Sequence, residues 1–135
     1  MGGGIVGCAA AAFLAEAGAR VELFERGALA GAASGRNSGS IQHPFDPLLA
    51  ELHFETLRHY RELDGFAMPK RPAGVLLLAE ERAAVAEIPD ATPELEPALL
   101  DPPELLRLEP SLGSRLWGCR LETGYPVRPA AATLG

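Results

Sequence analysis

The sequence lacks the features that mark several common classes of protein. It has only two cysteines, Cys8 and Cys119, among 135 residues, and neither belongs to a pair with metal-ligand spacing. We therefore expect no disulfide framework and no metal site. No stretch reaches the ~18 apolar residues that a membrane-spanning helix needs, so we expect no integral membrane segment. No basic segment followed by an apolar one opens the chain, and the expected location is the cytoplasm.

Positive charge is also scarce. The chain has 12 Lys and Arg against 18 Asp and Glu, a net charge of −6. This acidic balance repels phosphate backbones, so we expect no nucleic-acid partner. Backbone N–H groups can still hold the phosphates of a small cofactor, because they act whatever the net charge. The length and the hydrophobic fraction of 47% suit one domain with a core.

Three glycines at the start of the chain have the spacing of a dinucleotide-binding turn. Gly2, Gly4 and Gly7 form the pattern Gly-x-Gly-x-x-Gly, and an alanine-rich run over residues 8–17 predicts a helix directly after them. In such a turn the first glycine permits the tight bend, the second admits the pyrophosphate, and the third lets helix and strand pack closely. The helix N-terminus offers N–H groups and a positive dipole end to the phosphates.

Glu25 lies where this kind of site needs a carboxylate. It follows Gly7 by 18 residues (25 minus 7) and ends a predicted strand over residues 20–25. A carboxylate there can accept hydrogen bonds from both ribose hydroxyls of an adenosine. It would repel a 2′-phosphate, which disfavours NADP.

The rest of the chain predicts an alternation of helices and strands. Residues 27–40 form a small-residue loop whose backbone can approach a ligand closely. Asp46 followed by Pro47 predicts a helix start, and Leu49, Leu52 and Tyr60 lie on one face of that helix, which ends at Gly65. Further elements are predicted as a strand at 74–79, a helix at 80–87, an irregular connection at 89–103, a short helix at 104–108 and a strand at 116–121.

Taken together, these motifs resemble a known enzyme family. The glycine turn over residues 2–7, the pair Glu25 and Arg26, and the Ala-Ser-Gly-Arg-Asn-Ser-Gly loop over residues 33–39 resemble the start of the D-amino-acid-oxidase-like FAD-dependent oxidoreductases. Residues 72–77, 105–112 and 123–129 are similar to later parts of that family, so the resemblance spans the chain. The family includes glycine oxidase, sarcosine oxidase, D-amino-acid dehydrogenase and 2-hydroxyglutarate dehydrogenase.

The resemblance implies an α/β fold in three parts. Residues 1–70 would form a partial Rossmann-type FAD-binding domain that lacks its first strand, because only Met1 precedes the glycines. Residues 71–122 would begin an α+β substrate domain, and residues 123–135 would return toward the FAD-binding domain. We therefore expect a fragment of a longer flavoenzyme, poorly stable and inactive alone.

The resemblance also assigns the cofactor, FAD, and its contacts. Beside the glycines Gly2, Gly4 and Gly7, the implied roles are Ile5 and Val6 at the pyrophosphate, Glu25 at the adenosine ribose, Arg26 by the adenine, Ser34 at the phosphate, and Ser38, Gly39 and Ser40 beside the ribityl chain and flavin. Arg36 and Asn37 are expected to order the loop. His43 is expected to be an ordinary loop histidine, with a place at the active site or a covalent flavin link as the alternative.

The implied reaction is oxidation of the C–N bond of an amino acid or secondary amine by hydride transfer to flavin. Two alternatives stay open: an FAD-dependent 2-hydroxy-acid dehydrogenase, and a non-catalytic remnant or NAD-binding module. The long loop after Glu25 favours FAD over NAD. The expected partner is a small amino or hydroxy acid. In this family the group that meets the substrate carboxylate comes from later in the sequence, so no catalytic residue is assigned.

Overall fold

The computed structural model describes residues 2–134 and has a mixed α/β architecture. Six helices and five strands alternate along the described chain, with 3-10 turns at Ala33–Gly35 and Pro93–Leu95. In chain order they are α1 Ile5–Glu16, β1 Ser40–Ile41, α2 Pro47–Glu62, β2 Val75–Ala79, α3 Ala83–Ala86, α4 Ile88–Ala91, β3 Ala98–Leu100, α5 Pro102–Leu108, β4 Trp117–Leu121, β5 Tyr125–Pro126 and α6 Ala131–Leu134.

Helix α1 begins and ends on glycines. Gly4 is its N-cap residue, with extended backbone angles of φ −86° and ψ 175°. At the other end Gly18 has φ +86°, and its N–H donates to the Ala15 carbonyl while the Ala19 N–H donates to that of Leu14. This pair of bonds is the Schellman arrangement that glycine favours. The predicted stop at Gly18 is therefore confirmed.

Helix α2 starts as predicted, but its predicted apolar face is only partly packed. The Asp46 side chain accepts a hydrogen bond from the Leu48 N–H at 2.8 Å, and Pro47 occupies the first helical position. Leu57 is the buried residue of the helix, whereas Leu49 and Leu52 on the predicted apolar face are 48% and 57% exposed. Tyr60 on that face is half-buried, and its ring packs against Phe66 with centroids 4.9 Å apart, so the predicted face is only partly in contact with the described chain.

A three-stranded antiparallel sheet with the order β2-β4-β3 carries the main core. Cys119 at the centre of β4 pairs with Leu77 and Leu99. Cys119 and Leu121 pack with Val85 and Leu95 into one buried cluster. Leu105 of α5 is also fully buried, and it lies so close to Gly118 that a Cβ there would stand 3.1 Å from its Cδ1. Small residues in β4 thus let helices approach the sheet.

Two predictions about strands were wrong. Residues 19–25 form neither helix nor strand, although alternation had suggested a strand ending at Glu25. A strand needs a neighbour to hydrogen-bond with, and no described strand lies beside this segment. Conversely, β3 at Ala98–Leu100 forms inside the stretch predicted to be irregular, because β4 supplies its hydrogen-bonding partner.

A second, two-stranded sheet fixes the position of the small-residue loop. Ser40 pairs with Pro126 and Ile41 with Tyr125. The Val127 N–H donates to the Gly39 carbonyl at 2.8 Å. The end of the loop is therefore attached to a segment more than eighty residues later (126 minus 40 is 86).

Candidate cofactor site

Glu25 and the glycine turn are directly joined. The Gly3 N–H donates to Glu25 Oε2 at 2.7 Å, and the Gly27 N–H donates to Oε1 at 2.8 Å. These two backbone N–H groups, Gly27 first and Gly3 second, lower the pKa of Glu25 below its ordinary value. The carboxylate is thus held ionised at the edge of the turn, with further lone pairs open to another donor.

Ser34 brings the small-residue loop to the N-terminus of α1. The Ile5 N–H donates to Ser34 Oγ at 3.0 Å. The Ala30 N–H donates to the Gly3 carbonyl at 2.8 Å, which folds the same loop against the turn. The next two N–H groups of the helix, those of Val6 and Gly7, have no acceptor within residues 2–134. The helix end therefore retains free donors beside a hydroxyl group.

Two cavities meet at Ser34. The first, which we call the glycine cavity, has a volume of about 390 Å³ and is lined by Gly3, Gly4, Glu25, Arg26, Gly27, Ala28, Ala30, Gly31, Ala32, Ser34 and Arg36. The second, the loop cavity, has a volume of about 180 Å³, and its walls include Ile5, Ser34, Asn37, Ser40, Tyr60, Phe66, Arg128 and Thr133. Ser34 lines both cavities, which also contain Glu25 on the side of the glycine turn and Ser40 on the side of β1.

Asn37 orders the loop, as expected from the sequence. Its amide Nδ2 donates to the Ser34 carbonyl at 3.1 Å, and its Oδ1 accepts from the Gly39 N–H at 2.9 Å. Gly39 has φ +68°, a conformation that favours glycine, and a Cβ there would collide with the Val127 carbonyl. Gly39 therefore matters for the backbone of the loop, and neither it nor the exposed Ser38 lines either cavity.

The predicted residues are only partly brought together. Gly4, Glu25, Arg26 and Ser34 line the glycine cavity, and Ile5 and Ser40 line the loop cavity with Ser34. Besides Ser38 and Gly39, three more predicted residues line neither cavity. They flank the turn and are Gly2, Val6 and Gly7. Gly2 would bring a Cβ within 3.3 Å of Glu25 Oε2, Val6 is 80% exposed, and Gly7 is buried inside α1.

Two contributors to the site were not predicted. Gly3, an "x" position of the motif, is buried and supplies the N–H that holds Glu25. Arg36 lines the glycine cavity, although the sequence suggested only a role in ordering the loop. The motif spacing carries no signal for Gly3. For Arg36 the available signal was its place two residues after Ser34.

Comparisons with known proteins show the family of the chain. The family model described as "DAO: FAD dependent oxidoreductase" matches residues 1–135. The chain belongs to the DAO family of FAD-dependent oxidoreductases. No curated protein sequence matches it.

Solved structures of several oxidases share the fold of this chain. Glycine oxidase from Bacillus cereus superposes with a TM-score of 0.72 at 25% identity, over 98% of this chain and 40% of that one. An iminodiacetate oxidase from Chelativorans gives 0.67 at 27%, over 98% and 42%. The L-α-glycerophosphate oxidase from Mycoplasma pneumoniae with FAD bound gives a TM-score of 0.74, over 98% of this chain and 39% of that one. Its sequence identity is 24%, so it supports the fold alone. The chain thus spans about 40% of the length of these structures.

The described residues meet the requirements of the family cofactor. The turn is made of glycines, and a Cβ on Gly4 would stand 3.1 Å from Ser34 Oγ, in the space between turn and loop. An ionised carboxylate and two arginines line the glycine cavity, and the free N–H groups of Val6 and Gly7 belong to the adjoining helix end. Among residues 2–134, no group of three or more His, Cys, Asp or Glu side chains could hold a metal ion. No helix in that range is both long and apolar enough to cross a membrane.

Removing the Ser34 hydroxyl should weaken the attachment of the loop to α1. Ser34→Ala leaves the Ile5 N–H without its acceptor, and we expect a loss of about 1 kcal/mol in the free energy of unfolding. Urea denaturation measures it. Ser38→Ala is the matched control, because Ser38 is exposed in the same loop. Equal stability of the two variants would contradict the assigned contact.

His43 lies in the loop between β1 and α2, as expected, but its side chain is buried there. Its side chain is 3% exposed, its Nδ1 accepts from the Phe45 N–H at 3.2 Å, and its Nε2 lies 3.7 Å from Glu94 Oε1. The His53 ring of α2 packs edge-on against it, with ring centroids 5.2 Å apart. Burial, and secondarily the charge of His43, lowers the pKa of His53. His43 thus contacts both α2 and the 3-10 turn Pro93–Leu95. It lines neither of the two cavities.

The lowered pKa of His53 predicts a pH-dependent stability. The unfolded chain binds a proton at His53 near the ordinary value of about 6.5, whereas the folded protein binds it only at lower pH. The free energy of unfolding should therefore fall as the pH drops from that value through the lowered pKa. Denaturation between pH 8 and 5 measures the slope, which His53→Asn should reduce. An unaltered slope in His53→Asn would refute the assignment.

Proposed function

We propose that the chain supplies the FAD-binding part of an enzyme that oxidises the C–N bond of an amino acid or secondary amine. The observation that carries the proposal is the joined arrangement of Glu25, the glycine turn and Ser34 at the free N-terminus of α1. This arrangement supports Glu25 as the acceptor for the ribose and the helix N-terminus as the donor to the phosphates. The names of glycine oxidase and iminodiacetate oxidase, the relatives at 25% and 27% identity, favour amines as substrates.

The residues at the glycine turn, the helix end and the loop have distinct proposed roles. Glu25 accepts hydrogen bonds from the adenosine ribose, with Arg26 by the adenine. The N–H groups of Val6 and Gly7, together with Ser34, hold the pyrophosphate. Ser40 lies beside the ribityl chain and flavin, and Gly39 and Asn37 fix the loop that carries it. The chemistry that bound FAD supplies is the acceptance of a hydride from the substrate carbon.

The proposal includes the division of the chain at residues 70 and 122. Its support is the pairing of the strands. The three-stranded sheet lies wholly within residues 71–122, whereas the two-stranded sheet joins residues 40–41 to 125–126. A chain that leaves the cofactor region, forms part of a substrate domain and then returns would give this pattern.

Purification and spectroscopy test the cofactor first. The full-length enzyme, reconstituted with FAD and desalted, should show a bound-flavin absorption spectrum, and heat should release FAD intact for chromatography. A colourless protein that binds NAD instead would refute the proposal. In the full-length enzyme, turnover of glycine, sarcosine and D-amino acids supports amine oxidation. Turnover of 2-hydroxy acids alone would replace it by the alternative reaction.

A further inference from the structure

Arg36 stands at the glycine cavity without a partner inside the protein. It follows the 3-10 turn Ala33–Gly35, and its backbone N–H donates to the Ala33 carbonyl, which fixes the position of its Cα. Its guanidinium makes no hydrogen bond or ion pair with any residue from 2 to 134. The neighbouring Asn37 orders the loop instead. Ordering the loop therefore does not explain Arg36.

Two cations, Arg26 and Arg36, line the glycine cavity, and no acidic residue is adjacent to Arg36 in the sequence. Arg26 is adjacent to Glu25, and their attraction contributes to the lowered pKa of that carboxyl. The first turn of α1 contains no acidic residue. The helix N-terminus supplies only about half a positive charge. A pyrophosphate carries two negative charges, so the turn alone does not balance it.

We infer that Arg36 binds the phosphate groups of the cofactor and makes the site selective for dinucleotides and nucleotides over nucleosides. This inference rests on the proposed function. A guanidinium presents paired N–H donors that match the oxygens of a phosphate, and such charge-assisted bonds are among the stronger ones. A guanidinium that contacts only the phosphates should contribute nothing to the binding of adenosine alone.

Calorimetric titration of the full-length enzyme with FAD, ADP and adenosine tests the inference. Arg36→Gln should weaken FAD and ADP binding about tenfold at low salt, because one charge-assisted interaction is lost. Adenosine binding should stay unchanged. The difference should shrink at 1 M salt, where exposed charges are screened. Arg36→Lys, which keeps the charge, should restore part of the loss.

Arg115→Gln is the matched control, because it removes the same charge from an exposed loop away from the cavity. Arg36→Gln binding ADP as tightly as the unsubstituted protein would overturn the inference while leaving the proposed function standing. An equal loss for adenosine and ADP would also overturn it, since that points to a disturbed loop. If the unsubstituted protein binds neither FAD nor ADP, the proposed function itself fails.

Discussion

Gly39→Ala should unfold the loop end that lies against β5. An alanine at φ +68° adopts the left-handed conformation, which costs about 1–2 kcal/mol. Its Cβ would also collide with the Val127 carbonyl, a backbone atom that cannot move without breaking the bond from the Val127 N–H to Gly39. We expect a total loss on the order of 3 kcal/mol in the free energy of unfolding, since overpacking adds to the backbone term. Chemical denaturation measures it.

Gly65→Ala separates the cost of the left-handed backbone from the cost of the steric collision. Gly65 has a similar φ of +76°, but no atom lies within 4 Å of the position that its Cβ would take. This control should therefore lose only the conformational part, about 1–2 kcal/mol. If Gly39→Ala is no more destabilised than Gly65→Ala, the close approach of Gly39 to Val127 is not present in solution. Weaker FAD binding by Gly39→Ala alone would show that the loop carries part of the site.

Local signals in the sequence predicted the helices better than the strands. Asp46 followed by Pro47 fixes the start of α2, and Gly18 fixes the end of α1, because caps depend on residues next to the helix. The strand β3 depends instead on β4 for its hydrogen bonds, and the paired residues Leu99 and Cys119 are 20 positions apart (119 minus 99). Nothing between Pro97 and Pro102 announces that pairing. The failed strand before Glu25 has the same cause, since alternation describes a strand but cannot supply its neighbour.

The candidate site was likewise predicted only in part from the sequence. The distance from Gly7 to Glu25 predicted that a carboxylate would meet the turn, and the bond from Gly3 to Glu25 realises it. The spacing of glycines describes where a chain can bend, so it could not single out Gly3 as the donor. The burial of His43 also escaped prediction, because its ring is enclosed by residues from α2 and the 3-10 turn at 93–95. Contacts between distant segments decide both cases.

Replacing Glu25 should produce the largest loss of cofactor affinity. Glu25→Ala removes the proposed ribose acceptor and also frees the N–H groups of Gly3 and Gly27 that the carboxylate holds. We expect FAD binding to weaken by roughly a hundredfold, because a charged acceptor and the shape of the turn are lost together. Adenosine should weaken in parallel, unlike in Arg36→Gln. Glu22→Ala, an exposed acid three residues earlier, should bind both as before.

The charge of Glu25 sets the pH range of this effect. Because its two N–H partners lower its pKa, Glu25 stays ionised from neutral pH down past the ordinary glutamate value of about 4.3. The advantage of the unsubstituted protein over Glu25→Gln in binding adenosine should thus be constant between pH 8 and 5. It should disappear only as the pH falls through the lowered pKa. An advantage that titrates near pH 6 would mean that a different group contacts the ribose, and the assignment of Glu25 would be wrong.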